Sequence, residues 1–401
     1  MKQSSDKRRS VPGSTVLFVS ISGWRAGPGR SLTTLLAHLP PDLHRVLAAP
    51  VGGDLVTWLK ERKLIDEHVE LTRLWGRLRP KEAARLRSMI RLGTWMLRHR
   101  RELVAVHANG SAEMHFTAPG AALARVPLVV WFHGSSSGRF DPVLGAFWRH
   151  LPSVQEYAAV SEIAEEVVVS SGLAPRGNVH RVPNPIDPAD TVARRRLPPP
   201  QERTAADTGV VTIAYMGGLS PSKGFDLLPD IVRAVDRSTG RSIRWLIFCD
   251  RVPAEDPRAS NWQQCSDLAR SEVRFLGRVS DPRDAYAQAD IVLHPSFAES
   301  FSRVCAEAMA NGIPVVASDI PGLRAVVGDD EAGLLFPGGD SEAAAAAVVR
   351  LVNDLKLREA LGERGRIRAQ EWNPAGVTRA FLHLYGWHAT DARIGRGSID
   401  K

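Results

Sequence analysis

No uninterrupted apolar stretch in this chain approaches the roughly 18 residues that a helix needs to cross a bilayer. Cysteine is scarce: Cys249, Cys265 and Cys305 are an odd number, and none stands in Cys-x-x-Cys spacing. A disulfide framework or a zinc knuckle is therefore not expected, and a reducing compartment fits. No short-period repeat is visible. The start, MKQSSDKRRS, is basic but runs into VLFVS rather than a long apolar core with a cleavage site. A secretory leader is thus not expected, and a cytoplasmic location is.

What the chain does have is length and a globular balance. Its 401 residues, 44% hydrophobic and 24% charged, suit two domains better than one. The formal charge of +8 calls for an acidic partner: phosphate ligands, anionic lipid or nucleic acid. In the first half, apolar runs (VLFVS, LVAVHA, PLVVWFHG, YAAVS) alternate with helix-like segments. That rhythm predicts a parallel sheet covered on both faces. Residues 188–209, PADTVARRRLPPPQERTAADTG, interrupt it with prolines and charges and read as a linker. The rhythm restarts at VVTIAYMGG, followed by a helix whose Leu228, Ile231, Val232 and Val235 share one face. The expected fold is α/β, with two doubly wound Rossmann-like domains facing across a cleft. Residues 1–190 would form the first domain, 191–209 the linker and 210–372 the second domain. Residues 373–401 would add a helix crossing back to the first domain and a polar tail.

Ligands of such sheets sit at strand C-termini, against helix N-termini. The stretch AESFSRVCAEAMANGIPVV places Glu299 in a loop after the strand IVLHPS and Glu307 inside the next helix, which Gly312 closes. Amides at that helix start suit an anionic phosphate. Glu307 lies roughly 7–8 Å along the axis at about 1.5 Å per residue, about the span from a pyrophosphate to a ribose. Upstream, GGLSPSKG turns through Gly217 and Gly218 toward Lys223, which would add a point charge at a phosphate. Taken alone, an ordinary tight turn with a surface lysine is the better reading there.

Together these motifs resemble the family 4 retaining glycosyltransferases of the GT-B fold, over nearly the whole chain. The family's E-x7-E element stands as Glu299–Glu307, its donor loop as GGLSPSKG, and its second-domain tail as GLLFPGGD. GPGRS, WFHG and VPNPID resemble the family's first glycine loop, histidine motif and crossover signature. The resemblance implies that Glu299 contacts the donor sugar and Glu307 the ribose. Lys223, with the amides of Ser300, Phe301 and Ser302, would hold the pyrophosphate. His133 would lie near the reaction centre, and Gly29 would let the first loop approach the donor. Catalysis would rest on His133, Glu299 and Lys223. The family's arginine after the donor-loop glycine is replaced by Gly218, leaving Arg303 or Arg278 to substitute. Its glutamate after a paired-glycine turn is replaced by Ala325. No Asp-x-Asp triplet is present to carry a divalent ion, so no metal and no cofactor are expected.

Residues 71–103 hold ten Lys/Arg against Glu82 and Glu102, with Leu86, Ile90, Gly93 and Leu97 at helical spacing. Two readings stand for this segment: a peripheral contact with an anionic membrane inner face, or a helix packed on the first sheet with a solvated basic face. Nucleic acid is not expected, since no reading module accompanies the charge. The partners expected are a nucleotide-sugar donor and a sugar or lipid-linked acceptor. The alternative function is a catalytically silent GT-B protein that binds nucleotide sugar or scaffolds an assembly; an epimerase or phosphorylase on the same fold is a third.

Overall fold

The structure is a computed structural model. It describes residues 14–25, 27–72, 81–134, 155–187, 209–249, 256, 258–265, 268–277, 281–329 and 331–387. The expected linker, Arg278 and the polar tail lie wholly or almost wholly outside these residues.

Two parallel sheets carry the molecule. The first contains β1 (Thr15–Val19), β2 (His44–Pro50), β3 (Glu67–Leu71), β4 (Leu103–Ala108), β5 (Leu128–Phe132), β6 (Gln155–Ala159) and β7 (Val179–Arg181). Their order is β3-β2-β1-β4-β5-β6-β7. The second contains β8 (Val210–Tyr215), β9 (Ser242–Ile247), β10 (Ser271–Phe275), β11 (Ile291–His294), β12 (Val315–Ser318) and β13 (Gly333–Phe336), in the order β10-β9-β8-β11-β12-β13. In each sheet the strand order reverses beside the first strand, at β1/β4 and at β8/β11. Such switch points open crevices at the strand C-termini. Every residue of β1, β5, β11 and β12 is buried, as strands covered on both faces require. The helix Leu228–Ser238 buries Leu228, Ile231, Val232 and Val235 completely.

The last described helix packs against the first sheet. The helix Pro374–Leu384 brings Phe381 edge-on to Trp131, and Tyr385 Oη lies 2.7 Å from His107 Nδ1. The amide of Ile186 donates to the carbonyl of Trp372, a second tie across the domains.

The basic segment forms the helix Lys81–His99; residues 73–80 lie outside the description. Its apolar positions divide differently from the stripe read in sequence. Leu92 and Met96 are buried, together with Ser88, whereas Leu86, Ile90 and Leu97 are 58%, 59% and 41% exposed. Gly93 serves instead as a contact point with the helix Ser111–Ala124. A Cβ at Gly120 would stand 2.8 Å from the Gly93 Cα and 2.2 Å from Met96 Cε. Among the described residues, no helix is long and apolar enough to cross a membrane.

Candidate functional site

The second domain supplies the site from the C-terminal ends of β8 and β11. After β8 the chain turns through Gly217, where a Cβ would meet the Tyr215 hydroxyl at 2.3 Å. Gly218 follows at φ +67°, a backbone conformation that favours glycine, with open space where a side chain would begin. The turn delivers Lys223, whose Nζ donates to Glu299 Oε1 at 2.6 Å. His294, the last residue of β11, brings Nε2 to 2.8 Å from the same oxygen and 3.2 Å from Ser302 Oγ. Burial acts to raise the Glu299 pKa, but His294 and Lys223 outweigh it and hold the carboxyl below its ordinary value. Glu299 therefore stands ionised at the loop that precedes the next helix.

That helix, Arg303–Ala310, is capped by Ser302, whose Oγ accepts from the amide of Cys305. Phe301 is buried with its ring edge-on to Trp372. Glu307 is 2% exposed, and its carboxylate is fully engaged. Arg303 Nε and Nη2 lie 3.1 and 2.9 Å from Oε1, and the Tyr286 hydroxyl donates to Oε2 at 2.9 Å. Arg30 of the first domain donates to Oε2 as well, also at 2.9 Å. Burial again pushes this pKa up, and the charges of Arg303 and Arg30, with the Tyr286 hydrogen bond, bring it below the ordinary value.

The first domain contributes the β1 and β5 ends and the crossover. The helix Pro28–His38 starts in GPGRS, and a Cβ on Gly29 would stand 2.3 Å from the carbonyl oxygen of Trp24. Only glycine allows this loop to fold back so closely. Arg303 Nη1 donates across the cleft to Ser31 Oγ (3.0 Å) and to the Pro185 carbonyl (2.9 Å). Ser31 in turn donates to Asn184 Oδ1 at 2.7 Å. At the end of β5, the His133 carbonyl accepts from Ser300 Oγ at 2.5 Å. The His133 pKa is lowered to about 3, by burial first and by the Arg303 charge second, against a hydrogen bond with Asn184. Its imidazole is neutral across the physiological range, and its buried Nε2 has no hydrogen-bond partner among the described residues.

The structure thus gathers Gly29, His133, Gly217, Gly218, Lys223, Glu299, Ser300, Phe301, Ser302, Arg303 and Glu307 around one interdomain cleft. Arg278 lies outside the described residues. Two placements differ from the sequence reading. Arg303 faces the first domain and Glu307 rather than the open start of its helix, and Lys223 is already paired with Glu299. Sequence reasoning missed Arg30, Ser31, Asn184, Tyr286 and His294. A signal existed for Arg30, a cation in the first turn of a helix, where the macrodipole disfavours positive charge. His294 could have been noticed as a polar residue ending a fully buried strand.

A cavity of about 630 Å³ opens where the helix Glu162–Ser170 of the first domain faces the helix Pro321–Val327 of the second. Glu162, Glu166, Arg324, Ala325 and Arg368 are among its lining residues, so the Ala325 departure alters its wall. Among the described residues, no cluster of three or more His, Cys, Asp or Glu is arranged to hold a metal ion.

Comparison with known proteins agrees with the two-domain fold. Residues 26–190 match the family described as Glycosyltransferase Family 4, and residues 210–354 match Glycosyl transferases group 1. The D-inositol 3-phosphate glycosyltransferase of Corynebacterium glutamicum is 32% identical over 195 residues, 46% of each chain. The phosphatidyl-myo-inositol mannosyltransferase of Mycobacterium leprae is 40% identical over 187 residues, 45% of this chain and 47% of that one. The chain thus spans about half the length of these curated relatives in its matches. Among solved structures, Anabaena HepE in complex with UDP superposes with a TM-score of 0.74 at 20% identity, covering 93% of this chain and 99% of that one. The lipopolysaccharide outer core galactosyltransferase WaaB in its apo form gives 0.68 at 15% identity, covering 92% and 98%. At these identities the structures share the fold.

Proposed function

Because the chain belongs to glycosyltransferase family 4 and has the GT-B fold, we propose that it moves a sugar from a nucleoside-diphosphate donor to an acceptor held by the first domain. The observation that carries this reading is the convergence in one cleft of Lys223, Glu299, Glu307 and the start of the helix Arg303–Ala310.

In this reading the difficult event is departure of the nucleoside diphosphate from the anomeric carbon, with negative charge growing on the phosphate. Preorganised donors stabilise such charge best, because they need no reorganisation as it develops. Lys223 and the amides at the helix start fill that role. Glu299, ionised and positioned by His294, accepts hydroxyls of the transferred sugar. Glu307 accepts the ribose hydroxyls once a present partner leaves it. Neutral His133 can accept or donate a hydrogen bond near the sugar without adding charge. The proposal extends to retention of the anomeric configuration, by attack on the face the diphosphate leaves, and to independence from metal.

The relatives' names point to inositol-bearing acceptors, an inositol phosphate in one and a phosphatidylinositol in the other. A polyol or sugar acceptor, free or lipid-linked, is the corresponding proposal here. The exposed Leu86, Ile90 and Leu97 among Arg87, Arg91 and Arg98 support peripheral attachment to an anionic inner membrane face. A catalytically silent nucleotide-sugar binder is the second reading, favoured by Gly218 and Ala325. Hydrolysis of donor without acceptor separates the two.

Thermal unfolding against a panel of nucleoside diphosphates tests the binding half of the proposal. A ligand that binds only the native state stabilises by RT ln(1 + [L]/Kd). One base should raise Tm clearly above the others; no rise with any of them would reject the site.

A further inference from the structure

Glu307 cannot receive a ribose as it stands. Its Oε1 is taken by Arg303, and its Oε2 by Tyr286 and Arg30. An incoming pair of hydroxyls must displace one of these partners. Arg303 is 9% exposed and also holds Ser31 and the Pro185 carbonyl, while Tyr286 is buried in the same domain as Glu307. Arg30 belongs to the opposite domain, and its side chain is 20% exposed. It is the partner best able to move.

Lys223, Arg30 and Arg303 also converge on the carboxylates of Glu299 and Glu307. Asp281, whose charge also reaches Arg30, is itself held by Arg283. Cations gathered at the mouth of a cleft favour an anionic ligand there. The start of the helix Arg303–Ala310 lies about 6 Å from Glu307 along the axis, four residues at about 1.5 Å each. A guanidinium released from Glu307 needs only a short swing to a phosphate bound there. The turn at Gly218, where the family pattern has an arginine, presents no side chain that could do the same work.

The geometry points to Arg30 as a cation for the donor's diphosphate, parked on Glu307 while the cleft is empty and handed to the phosphates when ribose takes the carboxylate. This inference rests on the nucleotide-sugar reading of the site and adds a phosphate ligand from the first domain. Arg30 then links donor arrival to the contact between domains, because the ion pair that closes the empty cleft is exchanged for one to the ligand.

The test is calorimetric titration of the full chain with uridine, guanosine and adenosine and with UDP, GDP and ADP. The wild type is compared with Arg30→Gln and Arg30→Lys, each first shown by its melting curve to be folded. For the base the wild type prefers, Arg30→Gln should bind the diphosphate at least about tenfold more weakly, the worth of one charge-assisted hydrogen bond. The same variant should bind the nucleoside no less tightly than the wild type, since a competitor for Glu307 is gone. Arg30→Lys should retain most of the diphosphate affinity. Diphosphate affinity unchanged or raised in Arg30→Gln would show that Arg30 is only a plug on Glu307, overturning the inference while leaving the function proposal standing. A wild type that binds none of the diphosphates would remove both.

Discussion

Glu307 shows how burial changes what a substitution tests. From spacing alone it is a helix glutamate whose removal would touch only ligand binding. In the structure it is buried between two guanidinium groups, one of them the buried Arg303. Glu307→Ala should therefore cost about 3–5 kcal/mol of stability, because it strands a buried cation. Glu307→Gln keeps hydrogen-bonding capacity and should cost less. Urea titrations of the two variants check this, and equal midpoints would mean that Arg303 finds another partner. Two histidines of the first domain, the buried His107 and the half-buried His133, make a second residue-scale prediction. His107 and His133 are each lowered to about 3, in both cases by burial first. Below the ordinary value of 6.5 the unfolded chain takes up protons that the folded chain refuses. Stability is then complete above that pH and declines as pH falls toward 3. The depressed carboxylates Glu299 and Glu307 extend the loss at the acid end, while the raised Glu113 opposes it. Urea midpoints should fall between pH 7.5 and pH 5; a flat profile would contradict two rings held neutral.

At the scale of elements, the strands were legible and the basic helix only half so. Runs such as LVVWF and IVLH are buried on both faces, so composition alone marks them. The helix Leu228–Ser238 was legible because its apolar positions repeat at helical spacing and all turn inward. The helix Lys81–His99 misled because its sequence carries two interleaved sets. Leu92 and Met96 pack inward, and Leu86, Ile90 and Leu97 do not. Periodicity cannot say which set meets the protein; the close approach at Gly93 and Gly120 decides it. The outward set, flanked by Arg87, Arg91 and Arg98, predicts sedimentation with vesicles containing acidic lipid and not with neutral ones. Each basic residue near such a surface contributes roughly 1 kcal/mol, an attraction that salt screens. Replacing these three arginines by glutamine should abolish sedimentation and leave the melting curve unchanged. Undiminished binding would assign this face to solvent.

At the scale of the whole molecule, the site is divided between two domains, and that division is what sequence reading could not see. The bonds from Arg30 to Glu307 and from Arg303 to Ser31 join residues 277 and 272 positions apart. No local pattern encodes such a contact; it exists only when both sheets turn their strand C-termini toward each other. The second-domain half was legible, since Lys223, Glu299 and Glu307 belong to motifs held within one βα unit each. In the proposed function, the cleft expels a nucleoside diphosphate from a sugar with the protein's own cations. The most direct measurement is release of nucleoside diphosphate from a panel of nucleotide sugars, with EDTA throughout, by the wild type and by Lys223→Ala. Release is expected from one donor in EDTA, with a Lys223→Ala variant whose kcat falls far more than its affinity for that donor, because the lysine's charge matters most in the transition state. Release from no nucleotide sugar, with acceptors such as inositol phosphate and phosphatidylinositol supplied, or release indifferent to Lys223, would contradict it.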